Sequence, residues 1–336
     1  MVEALKGQGR EALRKDRTKM NKKDKVLIFG NGQVGNFYYD YFSSRGILSK
    51  ISSADVTKPD LVDKEVKKYK PTVVINAAGK TNLEWIDENK LETFNVNVLG
   101  ALNVARASKA YDALLVHTSS GCIFLSHTEK DAKKEEDQPE PIAFYSWTRV
   151  WAEAMAKWTK GLRYLILRLR QPVSAQVSPK NMLVKMLTFS KFAHKHAWNS
   201  GTVLEDLMWI TEKLIDKGAT GTFHIANEGY VTPYEIALLL KKYVNPSMKF
   251  EKITHEELDK MMKIKRVQTI LDISKLKSLG IKPPEYKKRL EEIIKELGKN
   301  IRNPKNLELL KQVEKTTKQR SEISKDWQKI FKTEES

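Results

Sequence analysis

The sequence predicts an α/β protein in which a doubly wound parallel sheet is followed by a smaller C-terminal lobe. Short apolar runs alternate with helical patterns from residue 25 to residue 172, and a glycine-rich turn joins the first run to the first helix. Parallel strands need a crossover helix between them and are buried on both faces, so this alternation is what such a sheet requires. The alternation loosens after Pro172, which indicates a second region of mixed structure.

The individual elements follow from the spacing of the apolar residues. Continuous apolar runs predict strands at residues 25–29, 71–76, 113–117, 164–168 and 222–226. Apolar residues about one turn apart, such as Phe94, Val98, Leu102 and Ala105, predict helices. The first predicted helix runs from the glycine turn to Arg45, and the others cover residues 61–69, 91–109, 145–159, 180–192, 203–217, 233–243, 254–263 and 286–297.

Four segments are predicted along the chain of 336 residues. Residues 1–24 form a flexible basic extension, and residues 25–172 form the sheet domain. Residues 173–300 form mainly the smaller lobe, interleaved with the last strands of the sheet, and residues 301–336 form a basic helical tail. Half of the net charge of +18 lies in the two ends, so the central body is only moderately basic.

Composition excludes several classes of protein. Hydrophobic residues make up 40% of the chain, which excludes wholesale disorder. The single cysteine excludes a disulfide scaffold and a multi-cysteine metal site, and we predict no metal. No apolar run suits a membrane span or a secretory signal, so we expect a cytoplasmic protein with no membrane association. No nucleic-acid-binding pattern stands out, so nucleic acid is an improbable partner.

The turn after the first predicted strand carries the pattern Gly30-x-Gly32-x-x-Gly35. Glycines at these positions permit a tight turn and let backbone N–H groups approach a pyrophosphate at the start of the next helix. The same pattern also occurs in glycine turns that bind nothing. Its position between a strand and a helix favours a dinucleotide, and the motif alone leaves nicotinamide and flavin open.

The residues expected to meet the adenosine ribose lie about 20 positions further on. An acidic residue there would accept the 2′-hydroxyl, but this stretch contains Arg45, Lys50, Ser52 and Ser53, which could meet a 2′-phosphate. That composition favours NADPH over NADH. We expect Asp55 and Val56 to lie against the adenine instead.

A second set of chemically active residues follows the third predicted strand. Ser120 ends that strand region, and Tyr145 precedes Arg149 by four residues on a predicted helix. A cation one turn from a tyrosine favours the phenolate, so the tyrosine can donate a proton to a carbonyl oxygen that the serine holds. A surface tyrosine beside a solvated arginine would give the same spacing.

The order of several motifs resembles the extended short-chain dehydrogenases, and most closely the dTDP-4-dehydrorhamnose reductase group with its UDP-4-keto-6-deoxyglucose 3,5-epimerase/4-reductases. The resemblance covers residues 25–300 and is carried by Gly30–Gly35, Asp55-Val56, Val74–Gly79, Asn97–Gly100, Ser119–Phe124, Phe144–Arg149, Leu167–Pro172, Ser178–Asn181, Lys185 and Asn199–Leu204. It implies a Rossmann-type sheet with a C-terminal substrate lobe, and a nucleotide-sugar substrate of the rhamnose pathway.

The resemblance also implies residue roles. Ser120, Tyr145 and Arg149 would be catalytic in ketone reduction, and Cys122 and Lys185 would be the acid/base pair of an epimerase. The expected NADPH or NADH contacts are Gly30, Asn31, Gly32, Gln33, Val34, Gly35, Asp55, Val56, Ala77, Ala78, Gly79, Asn97, Tyr145 and Arg149. The expected substrate contacts are Lys80, Ser120, Asn181 and Asn199.

Two departures from the family pattern keep an alternative open. Arg149 stands where the family has lysine, and the glycine turn is one residue shorter than usual. Arginine keeps the charge but cannot give up its proton, so a relay through it fails. The alternative is a non-catalytic regulatory subunit of the same fold, such as that of methionine adenosyltransferase. A homodimer is also left open.

Overall fold

The computed structural model describes residues 19–306 and residue 309. The predicted extension up to residue 18 and most of the tail after residue 306 lie outside the described residues. None of the helices within the described ranges is long and apolar enough to cross a membrane.

The strands and helices follow the predicted alternation. The strands are β1 (Lys25–Phe29), β2 (Leu48–Ser52), β3 (Val73–Asn76), β4 (Leu114–Ser120), β5 (Tyr164–Leu169), β6 (Pro172–Val173), β7 (Lys191–Lys195), β8 (Thr202–Val203), β9 (Gly221–Ile225) and β10 (Glu251–Thr254). The helices are α1 (Gln33–Ser44), α2 (Pro59–Tyr69), α3 (Leu83–Glu88), α4 (Lys90–Phe94), α5 (Gly100–Ala110), α6 (Phe144–Trp158), α7 (Met182–Met186), α8 (Leu204–Asp216), α9 (Pro233–Tyr243), α10 (His255–Met261), α11 (Ser274–Ser278) and α12 (Tyr286–Ile301).

A six-stranded sheet in the order β2-β1-β3-β4-β5-β9 confirms the predicted Rossmann-type fold class. From β1 the chain continues to β2 on one side, and it then crosses to β3 on the other side. The sheet therefore has a switch point between β1 and β3. Ligands of such sheets bind beyond the carboxyl ends of the strands at this point. The glycine turn leaves β1 there.

Both faces of the sheet are covered, which explains why its strands are apolar throughout. Leu27 and Phe29 pack into a cluster with residues of α2 and α5. Ile28 points the other way, and its Cγ2 atom lies 3.5 Å from the position that a Cβ would take on Gly35 of α1. Successive strand residues alternate between faces, so the two faces of β1 pack against different helices.

The described chain divides into two compact units. Unit 1 holds the described residues up to Ser120 with Trp147–Arg168 and Met208–Phe223, and unit 2 holds Gly121–Ser146, Leu169–Leu207 and the described residues from His224 onward. The core of unit 2 is an apolar cluster around α7, α9 and α12. On α12 the buried residues recur about one turn apart, as in Tyr286, Leu290, Ile293 and Leu297.

Two predicted helices differ from the observed elements. The helix predicted over residues 180–192 covers only α7, because residues 191–195 pair in parallel with β10. The helix predicted over residues 91–109 is interrupted by a π-helical turn at Asn95–Leu99. Both differences come from contacts with distant parts of the chain, which the local apolar spacing does not encode.

Candidate active site

The three glycines of the turn have different structural roles. Gly30 has a φ of 106°, and a Cβ there would lie 2.5 Å from the carbonyl carbon of Ala77. A Cβ on Gly35 would overlap the backbone oxygen of Gly30. Gly32 caps α1 at an ordinary φ of −104°, and a Cβ there would meet no atom within 4 Å. Gly30 and Gly35 are therefore required by packing, whereas Gly32 faces open space.

This open helix start fits the dinucleotide that the sequence predicts. Gln33 and Val34 begin α1, and its N-cap residue, Gly32, has no side chain with which to cap the first turn. Asn31 accepts a hydrogen bond from Nδ2 of Asn36 at 3.1 Å, which fixes the loop before the helix. The backbone N–H groups at the start of α1 and the positive end of its helix dipole suit a pyrophosphate. The residues of this turn therefore fit a dinucleotide.

The basic residues at the end of α1 and within β2 fit a 2′-phosphate less well than the sequence suggested. Arg45 donates through Nε to Glu212 at 2.9 Å, and Lys50 donates to Glu65 at 2.6 Å. A phosphate would have to compete with both carboxylates. Asp55 is exposed and accepts hydrogen bonds from the backbone N–H and the hydroxyl of Thr57, and these bonds lower its pKa.

Val56, by contrast, is buried and shapes the start of α5. Its Cγ2 would lie 2.7 Å from a Cβ on Gly100, and its carbonyl accepts from Nδ2 of Asn103 at 2.9 Å. Val56 therefore has a packing role in addition to its predicted contact with the cofactor.

Asn97, Lys80 and Arg149 come together in unit 1 beyond the carboxyl end of β3. Asn97 lies in the π-helical turn, and its Oδ1 accepts from the Lys80 N–H at 2.8 Å while Nδ2 donates to the Lys80 carbonyl at 3.1 Å. The same Nδ2 donates to the hydroxyl of Thr148 at 3.1 Å. Arg149 is buried and donates through Nη2 to the Lys80 carbonyl at 3.4 Å. Three predicted site residues, Asn97, Lys80 and Arg149, are therefore joined by hydrogen bonds.

Gly79 is needed because Arg149 lies directly on it. A Cβ on Gly79 would come within 2.7 Å of Nη2 of Arg149. The side chain of Lys80 turns away from this cluster, pairs with Glu92 at 2.8 Å and lies 4.6 Å from the ring centre of Trp85. Lys80 therefore contributes its backbone to the cluster.

His117 belongs to the same region and was missed from the sequence. It faces Asn76 across β3 and β4, and Nδ2 of Asn76 lies 3.3 Å from its Nδ1. Burial, and then the charge of Arg149, lower the pKa of His117 to about 4, so the ring is neutral at neutral pH. Nε2 of this ring is buried with no hydrogen-bond partner among the described residues. The sequence signal that could have pointed to His117 is that polar residues begin there, at the end of the apolar run of β4.

A buried ion pair fixes the middle of α6. Glu153 accepts from Nε of Arg168 at 2.9 Å, from Nη2 of Arg168 at 2.7 Å and from the hydroxyl of Ser119 at 2.6 Å. Burial alone would raise the pKa of Glu153, but the charge of Arg168 outweighs it and lowers the pKa to about 2. The pair ties α6 to the ends of β4 and β5, one turn after Arg149.

Unit 2 contains the other predicted catalytic groups. Cys122 is buried in a 3₁₀ turn at Gly121–Ile123, and a Cβ on Gly121 would lie 2.9 Å from Cδ1 of Leu271. Tyr145 is half-buried in the first turn of α6, and Lys185 is half-buried on α7. In unit 1, the half-buried Ser120 ends β4.

The two predicted substrate asparagines of unit 2 are deeply buried. Asn181 caps α7 and donates through Nδ2 to the carbonyls of Ser174 and Gln176, each at 2.8 Å. Asn199 accepts from Nε of Arg170 at 3.0 Å and from the N–H of Thr269 at 3.2 Å. Their side chains hold loops together, so any role towards substrate would act through those loops.

Comparison with known proteins identifies the family. Residues 24–299 match the RmlD substrate binding domain family. A bifunctional dTDP-4-dehydrorhamnose 3,5-epimerase/dTDP-4-dehydrorhamnose reductase of Arabidopsis thaliana is 30% identical over 267 residues, which cover 75% of this chain and 86% of that protein.

A trifunctional UDP-glucose 4,6-dehydratase/epimerase/reductase of the same plant is 30% identical over 265 residues, but this chain spans only 39% of its length. Among solved structures, a dTDP-4-dehydrorhamnose reductase from Clostridium acetobutylicum superposes with a TM-score of 0.73 at 25% identity, covering 80% of this chain and 98% of that one. The chain belongs to the RmlD substrate binding domain family.

Proposed function

We propose that this chain is an NAD(P)H-dependent reductase of a nucleotide-linked 4-keto-6-deoxyhexose, with 3,5-epimerase activity. The observation that carries the proposal is the placement of Arg149. It is buried against Gly79 at the carboxyl end of β3, and it follows Tyr145 by four residues on α6. A charge held there is one turn from the tyrosine and beside the loop expected to meet the cofactor.

Tyr145 is the proton donor of the reduction. When bound, the dinucleotide supplies the hydride that reduces the ketone carbon. The phenol of Tyr145 gives its proton to the ketone oxygen, and the Ser120 hydroxyl donates a hydrogen bond to that oxygen. Arg149 stabilises the resulting phenolate by its charge, and a proton from solvent restores the phenol, because a guanidinium cannot supply it.

Cys122 and Lys185 serve the epimerisation. The ketone makes the protons on the two neighbouring carbons acidic, so one group removes such a proton and a second returns one to the opposite face. The thiol and the ammonium have the chemistry for these two steps. The two activities of the bifunctional Arabidopsis relative support the combination, because this chain covers 86% of its length.

The direct test is turnover. Purified full-length protein is mixed with UDP- or dTDP-linked 4-keto-6-deoxyglucose and with NADPH or NADH, and the loss of reduced-cofactor absorbance is followed. We expect cofactor-dependent reduction and a 6-deoxyhexose product inverted at C3 and C5. Cys122→Ser should abolish solvent deuterium incorporation at both carbons while leaving reduction of a previously epimerised substrate.

The presence of Arg149 favours a second candidate function, a non-catalytic regulatory subunit. That protein would bind NADPH and show no turnover of either substrate. Arg149→Lys separates the two: an enzyme that uses this position as its relatives do keeps or gains activity with lysine. A regulator stays inactive in both forms.

The assembly and location are proposals as well. Trp147 and Trp158 of α6 are 44% and 68% exposed, and Leu91 of α4 is 75% exposed. Exposed large apolar side chains on neighbouring helices support a homodimer through this face. Sedimentation should give a dimer that Trp147→Glu dissociates, and cell fractionation should place the protein in the cytoplasm.

A further inference from the structure

The carboxyl end of β2 lies beside the glycine turn, because Ser52, the last residue of β2, is paired with Phe29 at the end of β1. A dinucleotide whose pyrophosphate meets the start of α1 is expected to place its adenosine ribose at this end of β2. A cation there favours the 2′-phosphate of NADPH, whereas the plain 2′-hydroxyl of NADH needs none. The side chains around Ser52 therefore decide between the two cofactors.

Arg45 lies at the other end of the sheet from this contact. It directly follows α1, and that helix of 12 residues extends about 18 Å away from the glycine turn. Three residues later, Leu48 begins β2, so Arg45 lies near the amino end of that strand. There its Nε donates to Glu212 at 2.9 Å. Arg45 is therefore not available to a 2′-phosphate.

Lys50 is nearer to the ribose position, but a carboxylate already holds it. It shares a face of β2 with Ser52, since side chains two residues apart in a strand point to the same side. Its Nζ donates to Oε1 of Glu65 on α2 at 2.6 Å and lies 6.0 Å from the ring centre of Tyr69 on the same helix. The side chain of Glu65 is only 18% exposed, so the pair is partly withdrawn from water. A 2′-phosphate would have to displace Glu65 from Lys50.

The loop that follows β2 supplies no net positive charge. Over residues 53–58 the charges of Asp55 and Lys58 offset each other. The hydroxyl of Ser52 accepts the backbone N–H two residues further on at 3.1 Å. Ser53 is exposed and neutral, and its hydroxyl can both donate and accept a hydrogen bond. This end of the strand therefore suits a ribose hydroxyl better than a dianion.

We propose that this chain binds NADH at least as tightly as NADPH, and that Glu65, by holding Lys50, removes the preference for the 2′-phosphate. The proposal rests on the proposed function, because it specifies the cofactor of that reductase. The Ser53 hydroxyl pairs with the 2′-hydroxyl of NADH. Without the carboxylate of Glu65, the ammonium of Lys50 becomes available to a phosphate at the end of its own strand.

Equilibrium binding tests this proposal without substrate or turnover. Full-length protein is titrated with NADH and with NADPH, and the fluorescence of the reduced nicotinamide is followed. We expect the dissociation constant of NADPH to equal or exceed that of NADH. Glu65→Gln should tighten NADPH binding by about 5–20-fold and leave NADH binding unchanged, because the released ammonium meets only the 2′-phosphate. Adding Lys50→Met to Glu65→Gln should cancel that gain.

Glu251→Gln is the matched control. Glu251 pairs with Lys191 at 3.4 Å on the surface of unit 2, so its loss should alter neither dissociation constant. A wild type that binds NADPH ten times more tightly than NADH would overturn the proposal and leave the proposed function standing. An unchanged ratio of the two constants in Glu65→Gln would do the same. A wild type that binds neither cofactor would contradict the proposed function as well.

Discussion

Arg168 and Arg170 are two residues apart in the chain, and both are buried, yet their surroundings differ in kind. Arg168 belongs to unit 1 and is held by the carboxylate of Glu153 through two hydrogen bonds. Arg170 belongs to unit 2 and is held by neutral oxygens of Asn199 and Val267. A carboxylate partner neutralises a buried charge and fixes the structure around it, whereas neutral acceptors fix the position of a buried charge without neutralising it.

The largest effect should come from substitution of Tyr145, which belongs to unit 2 together with Arg170. Tyr145→Phe removes the proposed proton donor, so the rate of ketone reduction should fall by about 10²–10⁴-fold. Cofactor affinity, measured by fluorescence titration, and the free energy of unfolding should change little. An unaltered reduction rate would remove Tyr145 from the mechanism.

Substitution of Glu153, in contrast, should mainly lower the free energy of unfolding. Glu153→Gln leaves Arg168 buried without its counter-ion, which should cost about 3–5 kcal/mol in the free energy of unfolding measured with denaturant. Lys157→Met is the control, because Lys157 is 39% exposed at its 3.3 Å contact with Glu153 and should matter little.

The ion pair of Glu153 and Arg168 also predicts a loss of folded-state stability at low pH. The pKa of Glu153 is lowered from 4.5 to about 2, so its contribution to stability is present above pH 4.5 and is lost as the pH falls towards 2. Glu153→Gln should flatten the stability profile in that range, and a variant that kept the wild-type slope would contradict this assignment.

Two glycines of the turn in unit 1 should have separate effects, Gly30 on stability and Gly32 on cofactor binding. Gly30→Ala combines a left-handed backbone with overlap against Ala77, so we expect a loss of about 2–4 kcal/mol in the free energy of unfolding. Gly32→Asp should leave stability nearly unchanged, because its side chain enters open space, and should abolish cofactor binding by meeting the pyrophosphate. Binding that survives Gly32→Asp would show that the dinucleotide lies elsewhere.

The smallest effect concerns His117. Its pKa is lowered to about 4 in the folded protein, whereas in the unfolded chain it takes its ordinary value near 6.5. The unfolded chain therefore binds the proton first, and folded-state stability falls as the pH drops from 6.5 towards 4. We expect about 2 kcal/mol less stability at pH 5 than at pH 7, and a smaller difference in His117→Gln, measured by denaturant titration.

Local pattern predicted five of the six strands of the sheet and the glycine turn at its switch point, but it did not predict β2. The glycine turn, Gly79, Asn97 and Arg149 were all predicted, because apolar runs locate the strand ends and the family motifs follow them. The buried position of Arg170 was not predicted, because its hydrogen-bond partners Asn199 and Val267 are distant in sequence. The carboxylate partners of the basic residues Arg45 and Lys50 were not predicted either, because they lie 167 and 15 residues away in the sequence.

The π-helical turn at Asn95–Leu99 has a consequence for how this region tolerates length changes. Such a turn contains one more residue than an α-helix needs, and each α-helical residue advances the helix by about 100°. Deletion of one residue here would restore a continuous helix from α4 to α5 and rotate Asn97 relative to the Lys80 loop. The chain would then keep its buried helix and lose the hydrogen bonds between Asn97 and the Lys80 backbone, so the deletion of one residue would disturb the Lys80 loop alone.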